Sequence, residues 1–370
     1  MSINHYYTLG RSGLRVSRLA LGTMTFGTEW GWGSDKEAAR AIFDRYVDAG
    51  GNFIDTADVY TQGTSETWLG EFIAARGLRD KVVLASKFSH PTDPGNPNAC
   101  GNGRMHIVRA VEASLKRLGT DHIDLYFLHT WDQVTPVDEV MRSLDDLVRA
   151  GKVRHIGLSD VPAWYASRAQ ALAEFRGLEP VCALQLEYSL TERNIEFEYT
   201  RLATDHGMGI VAWSPLASGL LSGKYRPGAD AASMADGRLK ANLGRTSPLF
   251  DRMTERNWAI VAELETVAKE AGRTMAQVAI HWVANRPGVG SVILGATKLA
   301  QLDETMAALD FELPAELMTR LDAVSAPRAP FPYTLFTPEF QRSLHGGAAV
   351  GDKPAGYRPR VVVPGRARSS

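Results

Sequence analysis

Four ionisable residues of the sequence lie at or just beyond the ends of short apolar runs that alternate with helical patterns. They are Asp55, Tyr60, Lys87 and His129. If the apolar runs are parallel strands of a barrel, their carboxyl ends meet at one face, and these side chains come together there. A carboxylate, a phenol, an amine and an imidazole in one place suit protonation of an oxygen that gains negative charge. The sequence therefore predicts acid–base chemistry on a carbonyl group.

Tyr60 is the predicted proton donor of this set. A free phenol, with a pKa of about 10, is a weak acid at neutral pH. The ammonium of Lys87 beside it would favour phenolate and lower its pKa, whereas burial would raise it. Asp55 would keep Lys87 charged and fixed, and a neutral His129 could orient the carbonyl oxygen.

Each of these residues also has a purely structural interpretation. Asp55 could be an acid in the turn before a helix, and Tyr60 a half-buried aromatic of a wall. Lys87 could be a solvated charge at a strand end, and His129 a hydrogen-bonded residue at the edge of the core. Their occurrence at successive positions around one predicted mouth favours the catalytic interpretation.

The alternation of strands and helices predicts an α/β fold, a (β/α)8 TIM barrel. The alternative is an open, doubly wound sheet. Polar residues end strand after strand, as expected around one shared mouth, and the Gly-x-Gly-x-x-Gly motif of a Rossmann site is absent, so the barrel is favoured. The predicted strands are residues 18–22, 52–54, 81–85, 123–128, 153–158, 183–186, 210–212 and 292–294.

The barrel domain is predicted to span residues 1–325, with a hairpin formed by 6–9 and 14–16 at its start. Residues 326–370 form an extension rich in Pro, Gly and Arg. We expect its aromatic cluster, 331–340, to pack on the barrel and its last ~20 residues to be loosely ordered. The long connection 217–250 is the predicted lid.

Polar residues mark where three of the helices should begin. Ser34 opens a capping box with Glu37, Thr64 or Ser65 is a natural N-cap, and Thr274 opens a box with Gln277. Helices are also predicted over 137–150 and 254–271.

Composition limits the classes of function. The 370 residues are 44% hydrophobic, enough for a large core, and the 42 acids nearly balance the 41 bases, so neither nucleic acid nor an anionic membrane is a predicted partner. Two cysteines far apart do not make a disulfide framework. No apolar run approaches the ~18 residues of a membrane span, and the first residues lack a secretory core, so a cytoplasmic location is predicted.

A metal-dependent barrel hydrolase is one competing class of function. None of the nine histidines belongs to a His-x-His or His-Glu-x-x-His motif, so the usual ligand spacing is missing, and no metal is predicted.

Residues 5–325 resemble the aldo-keto reductase superfamily, in the branch that includes bacterial reductases and potassium-channel β-subunits. Six segments carry the resemblance in register: 52–57 (NFIDTA, followed by Tyr60), 85–87 (ASK), 121–129 (DHIDLYFLH), 151–159 (GKVRHIGLS), 213–224 (WSPLASGLLSGK) and 294–298 (LGATK).

The resemblance implies an NADP(H)-dependent enzyme that reduces aldehydes or ketones, with Tyr60 as general acid and base. It also implies that the cofactor lies across the barrel mouth. Ser159, Asp160 and Gln185 match contacts to the nicotinamide amide, and Trp213 matches the residue that stacks on its ring. The other implied cofactor contacts, from the first strand to the adenosine end, are Thr23, Met24, Asp55, Ser214, Pro215, Leu216, Ala217, Ser218, Lys224, Arg238, Gly295, Thr297, Lys298, Gln301, Glu304 and Thr305.

Three positions depart from the pattern of the family. Asn is common where this chain has Asp160 and Thr305, so one contact gains a charge and adenine recognition is weaker. Lys298 could bind the 2′-phosphate, but the arginine often used nearby is not evident, so NADP over NAD is a prediction that rests on one lysine.

The resemblance also leaves open a regulatory subunit that binds NADP(H) with little turnover, like the channel β-subunits. His129 counts against it, because those subunits commonly lack this histidine. For a reductase, the predicted partner is a small carbonyl substrate. Its pocket is predicted to be an apolar wall that favours aromatic or medium-chain aldehydes, formed by Trp30, Trp32, Phe88 and Trp131. The sequence leaves open whether the protein is a homo-oligomer.

Overall fold

A closed barrel of eight parallel strands forms the centre of the computed structural model, which describes residues 3–228, 237–242 and 251–348. The strands follow one another around the barrel in chain order, and the last pairs with the first. The predicted (β/α)8 barrel is confirmed. Its strands are β3 (Leu19–Gly22), β4 (Phe53–Asp55), β5 (Val83–Phe88), β6 (Ile123–Leu128), β7 (Val153–Ser159), β8 (Val181–Glu187), β9 (Gly209–Trp213) and β10 (Val289–Gly295).

A two-stranded antiparallel hairpin, β1 (Tyr6–Thr8) and β2 (Arg15–Ser17), precedes the barrel as predicted. Helices cover the outside. They are α1 (Lys36–Asp48), α2 (Thr64–Arg76), α3 (Arg104–Leu118), α4 (Val137–Arg149), α5 (Ala163–Arg176), α6 (Tyr199–His206), α7 (Arg238–Ala241), α8 (Glu255–Ala271), α9 (Met275–Ala284), α10 (Leu299–Met306), α11 (Ala315–Val324) and α12 (Pro338–Leu344).

Alternation along each strand decides which side chains reach the inside of the barrel. On β5, Val83 and Ala85 belong to the inner cluster, whereas Leu84 and Phe88 pack in the layer beneath the helices. Lys87 continues the inward series, because it lies two residues beyond Ala85. Residues at the carboxyl ends of the strands line the cavity of the barrel mouth in the same way, two of them with backbone only: Gly22, Asp55, Ser159, Gln185, Trp213 and Gly295.

Two strand boundaries differ from the prediction in a way that matters for the site. Asp55 is the last residue of β4, and Lys87 lies inside β5 rather than after its end. Both pair with a neighbouring strand: Asp55 lies opposite Ala85, and Lys87 lies opposite Phe127. Lys87 is therefore a completely buried residue, and its interpretation as a solvated charge is wrong.

Two of the predicted helix starts are wrong, and one is confirmed. The N-cap of α1 is Asp35, whose carboxylate accepts from the Ala38 N–H, while Ser34 is buried. The α2 cap is Gly63, in a left-handed conformation, and the Ser65 hydroxyl bonds to Thr23 instead. Hydroxyl groups that the local sequence pattern predicts as helix N-caps are thus used in tertiary hydrogen bonds instead. Thr274 does form the predicted capping box of α9.

The aromatic cluster of the C-terminal extension is mostly exposed, so the prediction that it packs on the barrel is wrong for most of its members. The exposed fraction is 81% for Phe331 and 58% for Phe336. Tyr333 is the member that contacts the barrel's surroundings, through Phe197 and the Glu198 carboxylate. The final residues, 349–370, and two parts of the predicted lid, 229–236 and 243–250, lie outside the described residues.

A helix that crosses a membrane must be both long and apolar. Within the described ranges, no helix combines the length and apolar character that crossing a bilayer requires.

Candidate active site

A cavity of about 1960 Å³ opens at the carboxyl ends of the barrel strands. Of the four residues proposed for catalysis, Asp55, Tyr60 and His129 line it, and Lys87 lies directly behind them. The predicted convergence of these side chains at one mouth is what the structure shows.

Lys87 lies at the centre of the hydrogen-bond network of the site, and all three of its ammonium protons have acceptors. Its Nζ donates to Asp55 Oδ2 at 2.6 Å, to the Thr56 carbonyl at 2.8 Å and to Tyr60 Oη at 3.1 Å. On the other side, Gln185 Nε2 donates to Asp55 Oδ1 at 2.8 Å. Because the phenol oxygen accepts from Lys87, the phenol's own proton is left for a partner in the cavity.

The charge states of this network follow from burial and from the ion pair. Burial favours the neutral amine of Lys87, but the Asp55 carboxylate and Tyr60 outweigh it and raise the pKa of Lys87. Burial also raises the pKa of Tyr60, more than the neighbouring Lys87 lowers it. Tyr60 is therefore a neutral phenol across the neutral range, and it can give a proton but does not start as phenolate.

His129 is held as a neutral imidazole beside the phenol. Its ring centroid lies 5.8 Å from that of Tyr60. Burial, together with Lys87 and His90, holds the pKa of His129 well below its usual range. Nδ1 is buried without a hydrogen-bond partner in the described chain. A bare acceptor costs less there than a bare N–H, so the favoured tautomer carries its proton on Nε2.

Aromatic residues form the wall next to Tyr60. Trp30 meets Tyr60 edge to face with 6.3 Å between ring centroids, and Trp32 lies 5.7 Å from Trp30. Trp131 lines the same cavity. Phe88 does not line it: this ring is fully buried against Tyr126 in the layer beneath the helices. Its position one residue after Lys87 places it on the opposite face of β5.

The residues matched to the nicotinamide contacts lie together deep in the mouth. Ser159, Asp160, Gln185 and Trp213 all line the cavity. Trp213 Nε1 donates to Asp160 Oδ1 at 3.2 Å, and the Ser159 hydroxyl is buried without a hydrogen-bond partner among the described residues. Burial between the cavity walls raises the pKa of Asp160, although this residue is still exposed to solvent on the cavity side.

The loop after β9 is a strained turn at the edge of the cavity. Ser214, Ala217 and Ser218 have positive φ angles of 54°, 48° and 57°, and Gly219 follows at 95°. Such conformations are costly for residues with a Cβ and cluster at ligand sites. Most residues matched to cofactor contacts line the cavity here and beyond: Met24, Ser214, Pro215, Leu216, Ser218, Lys224, Arg238, Gly295, Thr297, Lys298, Gln301, Glu304 and Thr305.

Two residues of the matched set lie behind the wall. Thr23 is buried, with its hydroxyl bonded to the Asp55 carbonyl, and Ala217 is completely buried. Arg238 contacts the aromatic residues of the cavity, because its guanidinium carbon lies 5.8 Å from the centroid of the Trp32 ring.

Sequence reasoning missed three residues that shape the site. His90 lines the cavity beside His129, in the loop after β5. Glu187 lines it too, paired with Arg252, and the alternation from Gln185 along β8 could have found it. Asp58 is buried close behind the mouth, and both carboxyl oxygens lack a partner in the described chain.

We expect Asp58 to make the stability of the fold depend on pH. Burial, reinforced by Glu66 and partly offset by Arg117, raises its pKa to about 8. Between pH ~4 and ~8 the native state therefore keeps a proton that the unfolded state has lost, and the free energy of unfolding falls as pH rises. Asp58→Asn has no carboxyl group to titrate, so its free energy of unfolding should not fall in this way. The difference in stability between the variant and wild type should therefore grow in the variant's favour across that window, to at most about 5 kcal/mol. Urea unfolding at pH 5, 7 and 9 measures it, and a constant difference would contradict the assignment.

The sequence over most of the chain matches a known family. The Aldo/keto reductase family model matches residues 18–326. The chain belongs to the aldo/keto reductase family.

Relatives within this family carry several kinds of name. An uncharacterized oxidoreductase, YrpG of Bacillus subtilis, is 39% identical over 86% of this chain and 95% of its own length. Aryl-alcohol dehydrogenase, NADP(+), of Phanerodontia chrysosporium is 36% identical over 88% of this chain and 86% of its own. A probable voltage-gated potassium channel subunit beta of Arabidopsis thaliana is 37% identical over 82% and 91%. This aldo/keto reductase is thus similar both to oxidoreductases and to channel subunits, as the resemblance predicts.

Proposed function

We propose that this aldo/keto reductase is an NADPH-dependent reductase of aldehydes or ketones, with Tyr60 as the proton donor. The observation that carries the proposal is the hydrogen bond from Lys87 Nζ to Tyr60 Oη, 3.1 Å, inside a cavity that His129 also lines. When bound across the mouth, the cofactor would supply hydride to the carbonyl carbon. Tyr60 gives its proton to the carbonyl oxygen, and Nε2 of neutral His129 donates a hydrogen bond that orients it.

The polar groups of the mouth support a nicotinamide dinucleotide as cofactor. Ser159, Asp160 and Gln185 offer hydrogen-bonding groups to an amide, and Trp213 offers a ring. The strained loop at 214–219 and the nearby Lys224 suit a pyrophosphate, because backbone N–H groups and a cation favour anions. The relative named aryl-alcohol dehydrogenase, NADP(+), points the same way.

We expect Lys298 to set the preference for NADPH over NADH. Its exposed side chain lies at the far end of the cavity, at the start of α10, where a 2′-phosphate would gain from its charge. Lys298→Ala should lower the affinity for NADPH about tenfold or more and leave that for NADH within twofold, measured by titration of tryptophan fluorescence. The exposed Lys81→Ala is the matched control, because Lys81 lies far from the cavity lining. An equal loss for both cofactors would contradict this role.

The proposal is tested by NADPH oxidation with benzaldehyde and with a polar aldehyde such as glyceraldehyde. The aromatic wall of Trp30, Trp32 and Trp131 predicts a higher specificity constant for benzaldehyde. Equal constants would overturn the aromatic preference, and no turnover on either would count against a reductase.

The alternative is an NADP(H)-binding regulatory subunit with little turnover. The relatives named potassium channel subunit beta support it. His129 and the complete Lys87–Tyr60 network favour the reductase instead. Tight NADPH binding without oxidation by any carbonyl compound would shift the assignment to the regulatory subunit. The cytoplasmic location stays a prediction.

A further inference from the structure

His90 is a polar group of the cavity wall for which the proposed mechanism has no use. Its half-buried imidazole lines the cavity and meets the His129 ring edge to face, with 4.7 Å between centroids and 89° between planes. Neither ring nitrogen of His90 has a hydrogen-bond partner within the described ranges. A polar group that faces a cavity without a protein partner is placed to bind a ligand.

His90 is linked to the reacting groups through His129, whose ring contacts both Tyr60 and His90. Tyr60 lies 5.8 Å from His129, and His129 lies 4.7 Å from His90, measured between ring centroids. Because the His129 ring contacts both other rings and all three residues line one cavity, a substrate whose carbonyl oxygen is held by Tyr60 and His129 can reach His90 with another of its groups. The part of the substrate that reaches His90 is not the reacting carbon but a substituent near it.

The backbone holds His90 in place before any substrate arrives. The preceding residue, Ser89, is buried with φ 133°, a conformation that residues with a Cβ rarely adopt. Its Oγ donates to Asn102 Oδ1 at 2.6 Å and accepts from the His129 N–H at 3.1 Å. These bonds tie the turn that carries His90 to the backbone of His129, directly after β6.

The charge state of the two rings decides which substituent fits. Burial, with Lys87, lowers the pKa of His90, and the pKa of His129 is lowered as well. A neutral imidazole offers one donor and one acceptor, which matches a hydroxyl group. It does not supply the positive charge that a carboxylate or a phosphate would need.

We propose that His90 is a specificity-determining residue that hydrogen-bonds a hydroxyl substituent on the ring of an aromatic aldehyde or ketone. This inference rests on the proposed reductase function. The aromatic part of the substrate would lie against the wall of Trp30, Trp32 and Trp131, and its carbonyl at Tyr60.

The test compares hydroxybenzaldehydes with the corresponding methylbenzaldehydes, because the two substituents are similar in size. At each ring position the ratio of their kcat/KM values is measured for wild type, His90→Phe and His90→Gln. We expect the wild-type ratio at one ring position or more to fall about tenfold in His90→Phe, the loss of one hydrogen bond, and to be partly restored in His90→Gln. Phe keeps the ring that packs on His129 but has no nitrogen, and Gln keeps a donor and an acceptor.

A control variant separates this role from a structural one. His155→Phe replaces a half-buried histidine in the first half of β7, off the cavity lining, and should leave the ratio at its wild-type value. If His90→Phe lowers both rate constants equally, so that the ratio is unchanged at every ring position, His90 is a structural residue and the inference is overturned. If wild type reduces none of these aldehydes, the reductase proposal fails first, and this inference fails with it.

Discussion

Replacing Tyr60 by phenylalanine should lower kcat for carbonyl reduction roughly a thousandfold while NADPH still binds. A positioned general acid contributes between about 10²- and 10⁴-fold to such a step. In this site no neighbour is a good substitute, because Lys87 keeps its bonds to Asp55 and to the Thr56 carbonyl, and the Asp55 carboxylate opposes loss of the proton that the missing phenol leaves unpaired. Single-turnover oxidation of NADPH with benzaldehyde measures the chemical step, and titration of tryptophan fluorescence measures cofactor binding.

A second tyrosine provides the control for this substitution. Tyr126 is also fully buried, its hydroxyl has no hydrogen-bond partner in the described chain, and its ring packs on Phe88 away from the cavity. Tyr126→Phe should therefore keep kcat within about twofold, since it removes no interaction that the site uses. A Tyr60→Phe variant that turns over within threefold of wild type would remove Tyr60 from the mechanism.

Replacing Lys87 by methionine should destabilise the protein by roughly 3–5 kcal/mol and also abolish most activity. Lys87 and Asp55 form an ion pair at 2.6 Å with side-chain exposures of 0% and 3%. Methionine keeps most of the volume of the lysine stem, so the loss comes mainly from leaving the Asp55 carboxylate buried without its charge partner. Urea unfolding at pH 7 gives the free energy difference.

A double-mutant cycle distinguishes this electrostatic cause from a packing defect. Adding Asp55→Asn to Lys87→Met removes the unpaired charge, so the double variant should be more stable than the sum of the single effects predicts. Lys81→Met, at an exposed position just before β5, should change stability by less than about 0.5 kcal/mol. Strict additivity of Asp55→Asn and Lys87→Met would show that the two charges do not interact as the distance implies.

The barrel and the convergence of its four candidate catalytic residues were predictable because both follow from local pattern. Apolar runs that end in polar residues give strands with a common mouth, and β4, β6 and β7 lie within a residue or so of their predicted bounds. The position of Phe88 could also have been derived, since alternation along β5 places Lys87 and Phe88 on opposite faces. Site residues whose placement follows from their position along a strand could thus be predicted from the sequence.

The remaining features depend on tertiary contacts that no local pattern contains. Ser65 has the chemistry of an N-cap, but its hydroxyl is taken by Thr23. Asp58 is two residues before Tyr60 in the sequence, yet its raised pKa comes from its burial in the fold and from Glu66 of α2. The proposed role of His90 depends on its ring contact with His129, 39 residues later, and this contact forms because β5 and β6 are neighbours in the barrel. A sequence states which groups are present, but their partners are set by the fold.

The most direct test of the proposed reaction is transfer of deuterium from NADPH labelled at C4 of the nicotinamide, on each face in turn, to benzaldehyde. The account predicts that wild-type protein yields benzyl alcohol with one deuterium on the carbinol carbon from one labelled form and none from the other, and that Tyr60→Phe forms it far more slowly. Binding of NADPH with no labelled alcohol from either form, across aromatic and aliphatic aldehydes, would contradict the account.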